Sequence, residues 1–567
     1  MLLLGKRLVL GDRRWDLVAL ASFLLFAFVL TLPLWRDLDH AVPEANQNDH
    51  AQFEFVLARA AKLVSGGGGD WLLTGDMNAP LGVNMMANTA VLGLGIPLAP
   101  VTLLAGPAAT FALLVLLGMA LTAYGWYWVF SRRLVESRLA AAIGGAFCGF
   151  APGVVTHTQG HPNWVALFLL PFVVHLLFAP ASNRYAGVLL GLIMSYQVFI
   201  NEESLFFTGL GSAIFGTLYA LLRWNEVDKA RFFTNLGIAA AITGVVAAYP
   251  LWVQFTGPGS YHGVPEFTTS YGNDLASFFS FSTHSLGGSF SPFGNIAANR
   301  TEENAFFGVP LVILFLALAV IFRKRPVALA ASCTAVVFAV LSIGRDIIIN
   351  GYGDVTAPGP WEPFAHLPLF DSVVPTRLVL VAIPCVGLLL ALAVERSRTV
   401  LLPLVLAALL PIVPLPMDTK QIPPIPAYIT GHEYRAQLTD GGSMLVVPGP
   451  WTDTTNLRWA ARSGLEFPLA LGYFIGPGPE EDGRGIFGPQ KRPTHLLIAD
   501  VTATGVTPVP TAEQRAAFAA DLAFWQTSVI VVPAEHQNRE AVKMLLADLT
   551  GRPPTEIGGV TVWDIAR

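Results

Sequence analysis

The sequence of 567 residues has few charged residues and almost no cysteine. Only 13% of its residues are charged, about half the fraction of an average soluble domain, whereas 53% are hydrophobic. This balance excludes an ordinary soluble fold. Cys148, Cys333 and Cys385 all fall in apolar stretches, and none has a second cysteine or a histidine at metal-ligand spacing. We expect no disulfide and no zinc.

Basic residues are also too few and too scattered for a nucleic-acid surface. The formal net charge is −5, and no cluster of Lys and Arg is interleaved with aromatic residues. Nucleic acid is therefore not an expected partner.

Apolar runs recur from residue 16 to about residue 414, on the scale needed to cross a hydrocarbon core of roughly 30 Å. Short loops that contain Arg or Lys usually separate them. We predict a polytopic α-helical membrane protein, surrounded by membrane lipid, with about eleven transmembrane helices. The predicted spans are 16–35, 110–130, 139–155, 164–178, 185–200, 205–222, 232–255, 305–322, 327–343, 378–394 and 400–414.

Basic residues between the spans orient the chain. With the N-terminus inside, every inward loop contains Lys or Arg, and the short outward loops contain almost none. The first span is longer than a signal-peptide core and lacks a small-residue cleavage site, so we expect a retained anchor. The inward basic residues are Lys6, Arg7, Arg13, Arg14, Arg132, Arg133, Arg138, Arg184, Arg223, Lys229, Arg231, Arg323, Lys324, Arg325, Arg396 and Arg398.

One apolar stretch is left out of the spans. Residues 91–104 are interrupted by Pro97 and Pro100, and a span here would reverse the orientation of everything that follows. We interpret the stretch as a surface or re-entrant segment. The chain then divides into a membrane domain, 1–416, whose first outer loop is 36–106, and an extracytoplasmic domain, 417–567.

Polar residues concentrate on the predicted outer face. Asp49 lies in the long first outer loop at the start of a predicted helix, where it is either a functional carboxylate or an N-cap. His157 and His161 lie in the short turn HTQGHPN, and Glu202 and Glu203 in the turn NEE. Each of these four is either a functional residue or a side chain solvated at the membrane interface. Loops 256–304 and 344–377 add Asp274, Arg345 and Arg377.

Four short motifs resemble those of bacterial members of the GT-C superfamily, integral membrane glycosyltransferases that use lipid-phosphate sugars. They are NDH at 48–50, NAPLGVNMMANT at 78–89, GHPNW at 160–164 and LPLFDSVVPTR at 367–377. The long first outer loop with an acidic residue just beyond the first helix is similar as well. The resemblance implies an enzyme of the bacterial plasma membrane that transfers a sugar from a polyprenyl-phosphate donor to a glycan or glycolipid acceptor of the cell envelope.

The resemblance also implies roles for single residues. Asp49 would be the base of an inverting transfer, and Arg377 would hold the donor phosphate, with His161 and Arg345 as further candidates. Arg377 could equally be an interfacial anchor. The paired acidic motif of many members is missing around Asp49, so a divalent cation, Mg or Mn, is an open question. If one binds, Asp49 would share it with Glu203 or Asp274, and Glu202 is a further acidic neighbour.

The outer domain is predicted to be α/β. Strand-type runs are MLVVPGP at 444–450, HLLIAD at 495–500, VIVVP at 529–533 and VTVWDI at 560–565, with helical patterns at 511–526 and 539–549. Its role would be acceptor binding or stabilisation. Five aromatic residues could stack on sugars, although core packing is the expected role of most: Trp451, Trp459, Phe467, Tyr473 and Phe474.

Two other functions compete with glycosyl transfer. A transporter or lipid flippase would need polar side chains along a path inside the spans, and His175 and Gln197 are the clearest that we find. A non-catalytic envelope scaffold would keep the fold without the chemistry.

Overall fold

The computed structural model describes residues 13–179, 183, 185–226, 228–290, 296–351, 355–447, 454–479 and 483–566. Among the residues predicted above, Lys6, Arg7, Arg184 and Trp451 lie outside this part of the chain.

Residues 13–412 form mostly apolar helices. Several begin at a polar cap: Ser137, Asn201 and Asp228 each accept a hydrogen bond from the backbone N–H three residues further on. The helices are α1 (Arg13–Arg36), α2 (Gln47–Val64), α3 (Leu92–Arg133), α4 (Arg138–Phe150), α5 (Pro152–Val155), α6 (Pro162–Val165), α7 (Leu170–Leu177), α8 (Ala186–Val198), α9 (Glu202–Leu222), α10 (Lys229–Thr256), α11 (Glu266–Thr269), α12 (Gly308–Ile321), α13 (Pro326–Leu341), α14 (Ala382–Arg396) and α15 (Leu401–Leu409).

Five of the described helices are long and apolar enough to cross a membrane, and the bent pair formed by α4 and the segment Pro152–Gln159 makes six if it is one span. Four further apolar helices, of 10–17 residues, are shorter. Each predicted span overlaps a helix, as a multi-pass membrane protein requires. The number of eleven remains a prediction. The five are Arg13–Arg36, Leu92–Arg133, Glu202–Leu222, Lys229–Thr256 and Pro375–Arg396.

α3 is bent at Gly106, which has φ 85° and ψ 167° and precedes Pro107. A non-glycine residue would be strained at this φ, and the proline removes a helical N–H donor. The part after the bend, 107–133, is about 40 Å long at 1.5 Å per residue, enough to span a membrane without the part before it. The stretch 91–104, interpreted as a surface or re-entrant segment, is helical from Leu92 onward, and its position relative to the membrane stays a prediction.

The helix ends predicted to be cytoplasmic come together at one end of the molecule. The carboxylate of Asp16 accepts hydrogen bonds from Arg132 and from Tyr127, the latter at 2.8 Å, and lies 3.8 Å from Arg138. The predicted outer loops meet at the opposite end, where the domain formed by 417–566 also lies against them.

The described residues of 417–566, for which we predict a separate domain, include one four-stranded sheet in the order β11-β12-β10-β7. β7 is parallel to β10, and the other two pairs are antiparallel. The strands of the chain are β1 (Ala41–Pro43), β2 (Leu73–Thr74), β3 (Val83–Asn84), β4 (Asp346–Ile348), β5 (Val355–Pro358), β6 (Thr419–Gln421), β7 (Ser443–Val446), β8 (Ile475–Pro477), β9 (Gly485–Phe487), β10 (Thr527–Pro533), β11 (Thr555–Ile557) and β12 (Val560–Asp564). The helices here are α16 (Ala427–Thr430), α17 (Thr455–Arg462), α18 (Pro493–Thr504), α19 (Ala512–Trp525) and α20 (Arg539–Thr550).

The strand predicted at 495–500 is wrong, because these residues lie in α18. The helix starts with Pro493 at its first turn, and Asp521 accepts a hydrogen bond from the backbone N–H of Thr494. Its buried residues Ile498 and Val501 are three positions apart, which is helical spacing. The apolar run was too short to separate helix from strand by composition.

A buried ion pair and a strand pair join the two parts of the chain. Arg458 of α17 donates to Glu54 of α2 at 2.9 Å, and β1 of the first outer loop pairs with β6. Of the predicted aromatic residues that the structure describes, Trp459 and Phe467 are buried in the core. Phe474 is also buried but lines the cavity described next, as does Tyr473.

Candidate active site

A cavity of about 620 Å³ lies where the predicted outer loops meet residues of the C-terminal domain. Its wall combines the start of α2, the turn before α6, the start of α9, the second and third outer loops, and the β8–β9 hairpin. The acidic, basic and histidine side chains among its described lining residues are Asp49, His161, Glu202, Glu203, Glu302 and Arg377. These six side chains come from five separate parts of the sequence and form one site.

Asp49 is held by the first turn of α2. Asn46 is the N-cap of this helix: its side chain accepts from the N–H of Asp49 at 3.1 Å and donates to Oδ2 of Asp49 at 2.7 Å. Asp49 is therefore not the N-cap, which was one of its two predicted roles. Its carboxylate is free of the backbone and turns into the cavity.

Two further side chains reach the carboxylate of Asp49. Nε2 of His161 lies 2.7 Å from Oδ2, and the hydroxyl of Tyr473 donates to Oδ1 at 2.9 Å. Burial would raise the pKa of Asp49, but the bonds from His161, Tyr473 and Asn46 outweigh it and hold the pKa below its ordinary value. Asp49 is therefore ionised at neutral pH and oriented by three donors.

His161 connects Asp49 to a second histidine. Because an ionised carboxylate only accepts, His161 carries a proton on Nε2, and in its neutral form its Nδ1 accepts from Nδ1 of His157, 3.1 Å away. His157 is fully buried and stacks on Trp164 at 5.8 Å. One ligand atom each of His157, His161 and Glu302 lie within 4.8 Å of one another. Two imidazoles and one carboxylate are a donor set that binds divalent transition metals.

Glu302 and Arg377 form an ion pair in which two guanidinium donors share one carboxylate oxygen. Nε and Nη2 of Arg377 donate to Oε1 of Glu302 at 3.0 and 2.6 Å, and Oε2 accepts from Thr376 and Asn304. Burial would raise the pKa of Glu302, but the charges of Arg377 and the nearby histidines lower it to about 2. Glu302 is thus a permanent anion beside the predicted phosphate-binding arginine.

Arg377 has a second acidic neighbour and an aromatic one. Its Nη1 lies 3.7 Å from Oε2 of Glu203, and its guanidinium carbon lies 5.4 Å from the centre of the Trp164 ring. Only 15% of the side chain is exposed. Arg377 therefore lies inside the cavity, next to Glu203, rather than at a lipid-facing surface.

Two predicted residues lie outside the cavity lining. Arg345 donates to Glu362 at 2.8 Å and to Thr269 at 3.2 Å. Asp274 is fully buried and accepts from the backbone N–H groups of Asn350 and Gly351, so it shapes the outer loops instead of sharing an ion with Asp49. Glu202, by contrast, does line the cavity, where it is hydrogen-bonded to Gln254.

Sequence reasoning missed three residues of the site. Glu302 had one local signal, the polar run NRTEEN directly before an apolar stretch. His157 was left open between a functional residue and a side chain solvated at the membrane interface, and it was given no role in the site. Tyr473 was predicted as one aromatic residue among five, and nothing near it in the sequence indicates that its hydroxyl reaches Asp49.

A second, smaller cavity of about 160 Å³ lies between the apolar helices. α3, α7, α9, α13 and α14 supply most of its wall, and its lining is largely apolar. Trp164 lines both cavities, and Arg133 and His175 lie at the end of α3 and α7 predicted to be cytoplasmic. We call this smaller cavity the intramembrane groove.

Comparisons with known proteins show the fold of the chain alone. No family model matches the sequence, and no curated protein matches it either. Solved structures do match. The cryo-EM structure of arabinofuranosyltransferase AftD from Mycobacteria is 16% identical with a TM-score of 0.56, and the match covers 98% of this chain and 40% of AftD.

An archaeal oligosaccharyltransferase, AglB from Archaeoglobus fulgidus in complex with an inhibitory peptide and a dolichol-phosphate, is 11% identical with a TM-score of 0.53. This match covers 95% of this chain and 72% of AglB. A second structure of the Archaeoglobus enzyme, in complex with Zn and sulfate, has a TM-score of 0.51 at 13% identity over 91% of this chain and 68% of that one.

These neighbours are GT-C glycosyltransferases, so the chain has the fold of that class of membrane enzymes, and the predicted resemblance is confirmed at the level of fold. At such low identity the likeness carries no substrate. The chain also spans less than half the length of AftD.

Proposed function

We propose that this protein is an inverting glycosyltransferase that transfers a hexosyl or pentosyl group from a polyprenyl-phosphate donor to a glycan or glycolipid acceptor of the cell envelope. Transfer would take place on the outer side of a bacterial plasma membrane. The observation that carries this proposal is the position of an ionised, three-fold hydrogen-bonded Asp49 in a polar cavity that meets the intramembrane groove at Trp164.

Asp49 is the proposed general base. It takes the proton of the acceptor hydroxyl while the acceptor oxygen bonds to the anomeric carbon of the donor. The bond from that carbon to the phosphate oxygen breaks, polyprenyl phosphate leaves, and the single displacement inverts the configuration. Because the pKa of Asp49 is low, the proton moves only once the hydroxyl has become acidic by bonding to the anomeric carbon.

Arg377 is the proposed ligand of the donor phosphate. Its Nε and Nη2 are bound to Glu302, whereas Nη1 lies 3.7 Å from Glu203, too far for a hydrogen bond, and is the atom available to a phosphate oxygen. The side of the site at Trp164 fits the lipid tail of the donor. Trp164 lies beside Arg377 and also lines the intramembrane groove. His161, bound to Asp49, orients the base in this proposal, and Arg345 has no part in it.

The charge of the cavity favours a divalent cation as a further component. Its described lining residues include four acidic side chains, Asp49, Glu202, Glu203 and Glu302, and one guanidinium, that of Arg377. The pKa values of Asp49 and Glu302 are lowered, so these two are ionised at neutral pH. An anionic donor would be repelled by such a site without an added positive charge. His157, His161 and Glu302 would hold the ion, which would supply that charge.

Two imidazole ligands favour zinc or a similar transition metal over Mg. The expectation of no zinc rested on cysteine spacing alone. Measuring the metal content of the purified protein and of a His157→Gln variant by mass spectrometry tests this part. We expect a bound ion in the first and a clear loss in the second, and a metal-free wild-type protein with full activity in chelator would refute it.

The function is tested by transfer of radiolabelled sugar from a panel of polyprenyl-phosphate sugars, with purified protein in nanodiscs. We expect transfer by the wild-type protein, loss of about 10³-fold or more in Asp49→Asn, and little change in Asp39→Asn. Asp39 is a suitable control because it belongs to the same outer loop, is 61% exposed and does not line the cavity.

Two results would overturn the proposal. Undiminished transfer by Asp49→Asn would remove Asp49 as the base. Absence of both donor binding and transfer across the whole panel, with movement of a lipid across proteoliposomes instead, would favour the transporter or flippase.

A further inference from the structure

Three aromatic rings form a continuous row that ends at Asp49. The ring of Phe267 lies 5.7 Å from that of Phe487, and Phe487 is stacked on Tyr473 at 5.6 Å with an angle of 13° between the planes. All three line the cavity. Phe267 is 55% exposed, whereas the hydroxyl of Tyr473 is bonded to Asp49, so the row leads from solvent to the proposed base. We call these three residues the aromatic row.

The aromatic row is held by backbone contacts and not by loose surface packing. Phe487 belongs to the β8–β9 hairpin, and Asn88 of the first outer loop both donates to and accepts from the backbone of Ile475 in that hairpin, at 2.8 and 2.6 Å. On its other side the hairpin bonds to His262, which accepts from Gly485 at 3.1 Å. The hairpin that carries Phe487 is therefore held in place, and the ring of Tyr473 is held by the bond from its hydroxyl to Asp49.

Seven amide side chains line the same cavity as the aromatic row. Amide side chains donate and accept hydrogen bonds at the same time, which matches the hydroxyls of a sugar, while an aromatic face matches the C–H face of a sugar ring. The amides among the described lining residues are Asn46, Gln52, Asn88, Asn163, Asn201, Gln254 and Asn299.

We infer that the aromatic row is the acceptor subsite and that it binds a linear glycan of at least two sugar rings. The reacting sugar lies against Tyr473 with its hydroxyl at Asp49, and the following sugars extend over Phe487 toward Phe267 and solvent. This inference rests on the proposed function and adds to it that the acceptor is an elongated glycan and that the C-terminal domain helps to select it.

The test measures glycan binding without donor, so that no turnover occurs. The probes are linear trisaccharides of arabinofuranosyl, mannosyl and glucosyl units and the matching methyl monosaccharides, observed by saturation-transfer NMR with the full-length protein in nanodiscs. We expect at least one trisaccharide to bind about tenfold more tightly than its monosaccharide, and Phe267→Ala to remove this difference without weakening the monosaccharide.

Phe279→Ala is the matched control, because Phe279 is a phenylalanine of the same outer loop, is 44% exposed and does not line the cavity. It should keep the preference for the trisaccharide. Phe487→Leu, which keeps an apolar side chain in the hairpin, should lose it while melting at the wild-type temperature.

A length preference that survives Phe267→Ala, an equal loss in Phe279→Ala, or no binding of any trisaccharide overturns the inference. Since donor is absent, these results are independent of sugar transfer. Transfer with no dependence on acceptor length would overturn the aromatic row alone, whereas length-dependent binding without transfer would count against the proposed function alone.

Discussion

The hydroxyl of Tyr473 lies 2.9 Å from Oδ1 of Asp49, although the two residues are 424 positions apart in the sequence. Asp49 belongs to the first outer loop and Tyr473 to the C-terminal domain. One of the hydrogen bonds that orient the proposed base therefore comes from the C-terminal part of the chain. The sequence predicted only acceptor binding or stabilisation for that part, and the structure places one of its side chains against the base.

Tyr473→Phe should move the acidic limb of the rate profile to higher pH. The variant keeps the ring but removes a hydrogen bond to the ionised carboxylate, so the pKa of Asp49 rises toward its ordinary value. Since the base works only when ionised, activity is lost earlier as the pH falls, and kcat should fall about tenfold through loss of orientation. Measuring kcat/KM against pH checks this.

Tyr428→Phe serves for comparison, because that buried hydroxyl bonds to Gln437 within the C-terminal domain. It should leave the profile unchanged. An acidic limb at the same pH in Tyr473→Phe and wild type would contradict a role of Tyr473 in holding Asp49.

Arg377→Lys should abolish most of the activity while keeping the charge. An ammonium cannot reproduce two donors in a fixed plane to Glu302 together with a third toward Glu203. We expect kcat/KM for the donor to fall about 100-fold, measured by single-turnover transfer at limiting donor. Arg300→Lys, at a 52% exposed arginine, should be nearly normal, and normal turnover by Arg377→Lys would rule out its proposed contact with phosphate.

Thr208→Trp should make the enzyme selective for short-chain donors. Thr208 lines the intramembrane groove on α9, and a large ring there would fill space that we assign to the lipid tail. Donors with a chain of two isoprene units should react normally, whereas the KM of long polyprenyl donors should rise about tenfold or more. Equal effects on short and long donors would indicate that the lipid tail lies elsewhere.

Arg458→Met should destabilise the contact between the two parts of the chain. Glu54 is fully buried, and burial lowers the pKa of the adjacent His50 to about 4, so this histidine is neutral and Arg458 supplies the positive charge. Losing it leaves an uncompensated buried carboxylate, at a cost of about 3 to 5 kcal/mol. Thermal unfolding in detergent should show a lower midpoint.

The double variant Glu54→Leu/Arg458→Met should recover most of this loss, since it removes both charges. A double variant no more stable than Arg458→Met would show that packing at this contact, and not the unpaired charge, causes the effect.

The sequence predicted the apolar helices, their polar ends and the gathering of outer loops, because each follows from local hydropathy, caps and loop charge. It was less successful where a local pattern had two solutions. The run at 495–500 has strand composition but helical spacing, and the structure decides for α18. Asp49 was open between cap and site until Asn46 proved to be the cap.

What the sequence alone determined is that the chain has many apolar helices, as a multi-pass membrane protein has, and that Asp49 and Arg377 are candidates. That its polar loops lie on the outer side of the membrane stays a prediction. Only the tertiary structure decided which candidates meet: Asp49 with His161, 112 positions away, and Arg377 with Glu302, but not Arg345 or Asp274. The physical reason is that hydropathy and capping act between neighbours in the chain. A site made of short contacts between distant residues depends instead on how the helices and loops pack.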